Sequence, residues 1–176
     1  SSIEAEHPLQ QLRPATRCAA GQTWTWDGVR FDVLHPLVSD YAQAPKSNAL
    51  SCTLRISNGQ HSVLLAGDIE AAQEARLVAS GADLHVDLLL VPHHGSKTSS
   101  SAVFLEAVQP RIALVQAGYR DRYGHPAPPV LERYAARGIQ VVDSAHCGAM
   151  TWRSAAPEQV ECEREKNRHY WQHRAP

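Results

Sequence analysis

The sequence predicts an α/β domain in which helices are layered against a mixed β-sheet. Three observations predict it. Short apolar runs punctuated by Gly, Pro or Asn-Gly alternate with stretches of helical spacing. Several of the runs come in pairs joined by hairpin turn signals, so part of the sheet is antiparallel. Two further runs, Val63-Leu64-Leu65-Ala66-Gly67-Asp68 and Leu88-Leu89-Leu90-Val91-Pro92-His93-His94-Gly95-Ser96, stop abruptly and deliver a carboxylate or imidazoles where strand meets loop. That is where α/β sheets carry ligands and catalytic groups.

The elements follow in order. Residues 3–20 are mixed in composition and broken by Pro8 and Pro14, and read as loop with a short helix. Thr23-Trp24-Thr25-Trp26 alternates, Asp27-Gly28 turns the chain, and Val29 to Leu34 returns as a second strand. The two tryptophans fall on one strand face and are read as core packing rather than as a stacking platform for bases. His35-Pro36 opens a polar loop through Lys46-Ser47-Asn48. Ser51 to Ser57, Asn58-Gly59 and His61 to Leu65 form the clearest hairpin. After Asp68 the spacing of Ile69, Ala72, Ala75 or Arg76, and Val78 or Ala79 turns helical, with Gly81 placed as a cap, so Asp68 serves either as helix N-cap, as metal ligand, or as both. Val86 to Val91 is a strand, Ser96 to Ser101 a hydroxyl-rich loop, Ala102 to Val108 a short helix and Ile112 to Gln116 another strand. Tyr119 to Pro126 is a loop rich in functional side chains. Pro128 and Pro129 start a helix that Gly138 stops. Short strands follow at 139–142, 149–153 and 159–162, and a charged tail, 163–174, reads as a frayed helix.

With 176 residues and a net charge of −1, the chain suits one domain with a proper core, and no polybasic run or long apolar span marks nucleic-acid binding or membrane crossing. Ten histidines are a high count and favour metal or proton chemistry. Cys18, Cys52, Cys147 and Cys162 contain no Cys-x-x-Cys pair, which excludes a zinc knuckle or thioredoxin-like motif; two disulfides are allowed, not required, and Cys52 is read as a small buried hydrophobe. A signal peptide is lacking and the only Met is Met150, so the chain reads as a segment of something longer.

Four motifs in order carry a resemblance: Lys46-Ser47-Asn48 with Ser51, Leu65-Ala66-Gly67-Asp68-Ile69, Val91-Pro92-His93-His94-Gly95-Ser96, and Tyr123-Gly124-His125-Pro126. From about Gly21 onward the chain resembles the metallo-β-lactamase-like domain at the C-terminus of ComEC-type competence proteins, the DNA-uptake channels of transformable bacteria. The resemblance implies an αββα layered fold and a phosphodiesterase that degrades the non-transforming strand with two divalent ions, manganese or zinc. Carried over by motif, Asp68 is the bridging metal ligand and a catalytic group, and His93 or His94 a ligand. Alternation sends those two imidazoles to opposite sides, so only one is expected to bind directly. His125 is the candidate for protonating the leaving oxygen or contacting phosphate. Asn48, Ser51 and Ser96 are candidate donors to phosphate, and Lys97, Arg120 and Arg122 candidate cations for it.

The departure is as informative. The superfamily's His-x-Asp-x-Asp-His motif, expected upstream, is absent; residues 1–60 hold only His7 and His35, each before Pro. The chain thus reads as a partial fold lacking the first strands and principal ligand loop: 1–20 a linker, 21–162 the domain's C-terminal portion, 163–176 a charged tail. It is expected to be soluble, to hold no ion or one weakly, and to be inactive alone. Its sheet edge and apolar face invite self-association into a homo-oligomer. The implied parent sits in the cytoplasmic membrane with this domain on the extracytoplasmic side, partnered by DNA and the channel portion. Two alternatives remain: a superfamily hydrolase of small phosphoesters or amides, and a non-catalytic binding module in which Asp68, His93 and His94 are structural.

Overall fold

The computed structural model describes residues 7–8, 12, 16–43 and 47–168. The helix expected within 3–20, Lys46 and the end of the tail fall wholly or mostly outside them. Strands β1 (Thr23–Trp26) and β2 (Val29–His35) form the expected hairpin, with Asp27 and Gly28 both in the left-handed region (φ 50° and 76°) that a tight two-residue turn demands. Strands β3 (Thr53–Ser57) and β4 (Ser62–Leu65) make the second hairpin. Three crossovers follow: α1 (Ala71–Ala79) leads to β5 (Leu88–Leu90), α2 (Ala102–Val108) to β6 (Ile112–Val115), and α3 (Pro128–Ala135) to β7 (Gln140–Asp143). The seven strands lie in sequence order in one sheet, antiparallel from β1 to β4 and parallel from β4 to β7. The domain is α/β with a mixed sheet.

Parallel neighbours require crossovers, and here all three helices cover the same face. Leu64, Leu89, Ala113 and Val115 of the sheet pack with Leu77 of α1, Phe104, Leu105 and Val108 of α2, and Val130 and Tyr134 of α3 in one buried cluster. Among the described residues the opposite face is covered from β7 back to Val63 of β4. There a hairpin of β8 (Met150–Trp152) and β9 (Val160–Cys162) sits over Leu88, Ile112 and Leu114. Toward β1 the register places Trp24, Trp26, Phe31, Val29, Ile56, Leu54, Val63 and Leu65 on that same face. None of these eight is fully buried.

Four expectations change. The tryptophans are not core: Trp24 is 46% and Trp26 74% exposed, with Trp24 stacked on Phe31 (centroids 5.0 Å apart), because among the described residues no helix or hairpin packs over β1 and β2 on this face. Cys52 is exposed and bonded to Cys18, tying the segment before β1 to the start of β3, while Cys147 pairs with Cys162 across the short helix α4 (Ser144–Cys147) and β9. Asp68 does not cap α1; the N-cap is Glu70, whose N–H donates to the Gln73 side chain (3.2 Å). Finally, β5 ends at Leu90, so His93 and His94 lie on a turn with left-handed backbone (φ 49° and 57°) rather than alternating along a strand. The tail begins with a single helical turn, α5 (Glu163–Lys166).

Candidate functional site

Because β4 to β7 run parallel, the loops that leave them emerge at one sheet edge, and every charged or imidazole group singled out in the sequence after residue 65 lies on them. Asp68 follows β4, the His93-His94 turn follows β5, and Tyr119 to His125 follow β6. The loops are stitched together by backbone. The N–H of His93 donates to the Gly67 carbonyl (2.9 Å), that of Asp68 to the Ser51 hydroxyl (3.1 Å), and that of Ala127 to the Gly95 carbonyl (2.9 Å). Two successive non-glycine residues in the left-handed region cost about 1–2 kcal/mol each, a strain that folded proteins concentrate at functional sites. Here it turns both imidazoles toward carboxylates.

His94 Nε2 lies 3.5 Å from Asp68 Oδ1, and His93 Nδ1 lies 3.5 Å from Glu70 Oε1. The two histidines differ in what their other nitrogen does. His94 Nδ1 sits 2.7 Å from the Gln116 carbonyl, which can only accept, so Nδ1 carries the hydrogen. With Nδ1 donating to Gln116, the other nitrogen, Nε2, faces a carboxylate, an arrangement that calls for a proton or a cation between them. His93 is engaged on both sides. Asn48 Nδ2 donates to its Nε2 (3.3 Å), which leaves Nδ1–H to face Thr98 Oγ1 (3.4 Å) and Glu70. His125 completes the group, its ring centroid 6.0 Å from that of His93 and its Nδ1 buried without a hydrogen-bond partner among the described residues.

Of the other residues singled out in the sequence, Asn48 and Ser51 reach the group through the contacts above. Ser96 is buried, with its hydroxyl 3.2 Å from that of Thr98. Lys97, Arg120 and Arg122 are exposed on the loops around it. Tested as a metal centre, the set falls short: among the described residues no group of three or more His, Cys, Asp and Glu is arranged to hold an ion. A two-ligand pair such as Asp68 with His94 is less than the three or four protein ligands that zinc takes.

Sequence reasoning missed the residues that hold the loops in place. Glu74 of α1 is fully buried, and its carboxyl group accepts the N–H groups of Ser100 (2.5 Å) and Ser101 (2.8 Å). Arg133 of α3 donates to the carbonyls of Ser99 (2.8 Å) and Ser100 (2.6 Å), and the Tyr134 hydroxyl meets that of Ser100 (3.0 Å). Burial pushes the Tyr134 phenol well above its ordinary range, so it stays a neutral hydroxyl. At the far strand, Ser144 bonds both the carbonyl (2.8 Å) and the N–H (3.0 Å) of Ala117, fixing the start of the β6 loop.

His35 supports the Asn48 loop from beneath. Its Nε2 donates to the Ala49 carbonyl (2.9 Å), and Asp40, paired with Arg76 (2.8 Å), lies 4.0 Å from its Nδ1. Burial depresses the His35 pKa below 6.5, outweighing the Ala49 hydrogen bond and the Asp40 charge. Burial acts to raise the Asp40 pKa, but the Arg76 hydrogen bond, the Leu37 N–H and the neighbouring charges together hold it below 3.8. The folded chain thus keeps His35 neutral while the unfolded chain takes up a proton below about pH 6.5, so stability falls as pH drops through that window. Asp40 adds a further loss only below about pH 4. A melting series is expected to show Tm falling from pH 7 to pH 5, with a shallower fall in the His35→Gln variant.

The domain is an α/β sheet whose imidazoles and carboxylates gather at the carboxyl ends of its parallel strands, the edge at which open α/β sheets as a class carry their ligands. Its relatives are specific. Competence protein ComA of Neisseria gonorrhoeae is 39% identical over 135 residues, 76% of this chain and 19% of the relative. Recombination protein 2 of Haemophilus influenzae is 37% identical over 121 residues, 67% of this chain and 14% of the relative. ComE operon protein 3 of Bacillus subtilis is 34% identical over 125 residues, 71% of this chain and 16% of the relative. No protein-family model matches the chain. The chain belongs to the ComEC-type competence proteins as a fragment, and spans less than a fifth of the length of these curated relatives.

Proposed function

We propose that the chain is the ligand-poor, C-terminal portion of a metallo-β-lactamase-like, metal-dependent nuclease domain in a DNA-uptake competence protein, acting on the strand that is not taken up. The observation that carries the reading is the opposition of His94 Nε2 and Asp68 Oδ1 at 3.5 Å, with the His94 tautomer set by the Gln116 carbonyl. That pair could hold a proton or share a cation, and of the two histidines His94 is the one whose Nε2 is held by no neutral hydrogen-bond partner. His93, held by Asn48 and Glu70, orients the turn. His125 stands as the proton donor or phosphate contact, with Ser51, Ser96 and Lys97 as further contacts.

The sheet supports the partial fold. It is helix-covered on one face and, on the other, only partly covered from β1 to β3 among the described residues, as half of an αββα sandwich would be. In the parent, the first strands would cover this face and their loop would supply the remaining ligands for two divalent ions; in the isolated chain a second copy takes their place. Among the described residues no helix is long and apolar enough to cross a membrane. The channel portion, and anchorage in the cytoplasmic membrane, belong to the parent. Two disulfides that together use all four cysteines favour an oxidising, extracytoplasmic setting.

With so few ligands the purified chain is expected to cut neither single- nor double-stranded DNA in manganese or zinc buffers. Cleavage that EDTA abolishes would overturn the proposed ligand deficit.

A further inference from the structure

The loop between β6 and α3 carries a feature that the metal reading does not use. Tyr123 is 65% exposed, yet it is fixed in place. Asp121 Oδ2 accepts the N–H of both Tyr123 (3.1 Å) and His125 (3.0 Å), and the Gly124 N–H returns to the Asp121 carbonyl (3.0 Å). The Arg122 guanidinium lies 4.6 Å from the Tyr123 ring centroid and donates to its hydroxyl. From Tyr123 the rings lead inward: its centroid is 6.0 Å from that of His125 at an interplanar angle of 24°, and His125 is 6.0 Å from His93. A second pair, Arg120 over Tyr119 at 5.3 Å, stands in the same loop.

We propose that Tyr123, backed by Arg122, is a stacking platform for an unpaired base, and that it selects single-stranded over duplex DNA at this edge. The inference deepens the nuclease reading and rests on it for the identity of the polymer. A base inside a duplex has both faces occupied by its neighbours, so an exposed ring gains a stacking partner only from a strand whose bases are free. A base on Tyr123 displaces the Arg122 guanidinium from the ring toward the adjoining phosphate, where it forms a charge-assisted pair. The chain then runs inward past His125, which places the next phosphate at the group formed by His125, His93, His94 and Asp68.

The test is fluorescence anisotropy of the 176-residue chain with labelled oligothymidylate of about a dozen nucleotides and with an abasic strand of equal length. Tyr123→Ala is expected to weaken oligothymidylate binding roughly 5- to 150-fold, the span of one aromatic–base stack, and to leave abasic binding within about twofold. Tyr123→Trp is expected to restore base binding, which separates loss of the ring from loss of the fold. If the wild type binds both strands and Tyr123→Ala changes neither, or weakens both equally, the platform is overturned and the DNA reading stands. If the wild type binds neither strand, the DNA reading fails at this edge and the platform falls with it.

Discussion

Glu74→Ala is expected to be the most damaging single change in the chain, lowering stability by about 3–5 kcal/mol. The carboxyl group is fully buried and accepts two backbone N–H groups, so its removal strands both donors without water and leaves a cavity. For a domain of this length that loss corresponds to a fall in Tm of roughly 6–20 °C. Glu74→Gln keeps the volume and one acceptor oxygen but turns an NH2 group toward one of the donors, so an intermediate loss is expected. The effect reaches the site because Glu74 stands on the helix that follows Asp68 and Glu70, and its partners stand on the loop that follows His93. Urea or thermal unfolding of the three chains, with the histidine resonances recorded in the folded state, is the check. A Glu74→Ala chain as stable as the wild type would mean that the 96–101 loop is held by Arg133 and Tyr134 alone.

Gly95→Ala is the second. Gly95 has φ +80°, where a side chain costs about 1–2 kcal/mol, and a Cβ built there would lie 2.7 Å from Pro126 Cβ and 3.1 Å from Pro126 Cα. Neither contact is to the end of a flexible side chain, so the His-His-Gly turn and the Gly-His-Pro loop must separate. We expect a loss of about 2–4 kcal/mol in total, close to that of an overpacked core, together with loss of the 6.0 Å approach of His125 to His93. Nuclear Overhauser contacts between the two imidazoles would report it. A variant that retains both those contacts and its stability would show that the two loops have slack the present packing does not reveal.

The strands and helices were legible because their signals are local. Asp27-Gly28 and Asn58-Gly59 announce hairpins through the left-handed backbone they permit, and Gly81 and Gly138 stop helices for the same reason. The edge on which Asp68, His93, His94 and His125 meet was legible for a related reason: parallel strands that each end in a polar loop deliver those loops to one side. What failed depended on the rest of the molecule. Whether Trp24 and Trp26 are covered is decided by what lies over the sheet, and the alternation of a strand carries no record of it. Cys52 sits in a strand-like run, yet its partner Cys18 is 34 residues away. Glu74 looked like one more polar residue on an amphipathic helix, because the N–H groups that need it lie 26 and 27 residues further on. Alternation puts His93 and His94 on opposite sides only if the strand continues through them, whereas β5 stops at Leu90, three residues before His93. The turn they occupy sets both rings against carboxylates instead.

The proposed site has Asp68 and His94 in place and, among the described residues, lacks the remaining ligands. The most direct test is the metal content of the purified chain after exposure to manganese and to zinc, measured by elemental analysis after desalting. The expected result is no bound ion, or a single one that desalting removes. Two tightly held ions per chain would contradict the proposed ligand deficit, since the chain would then hold a complete centre.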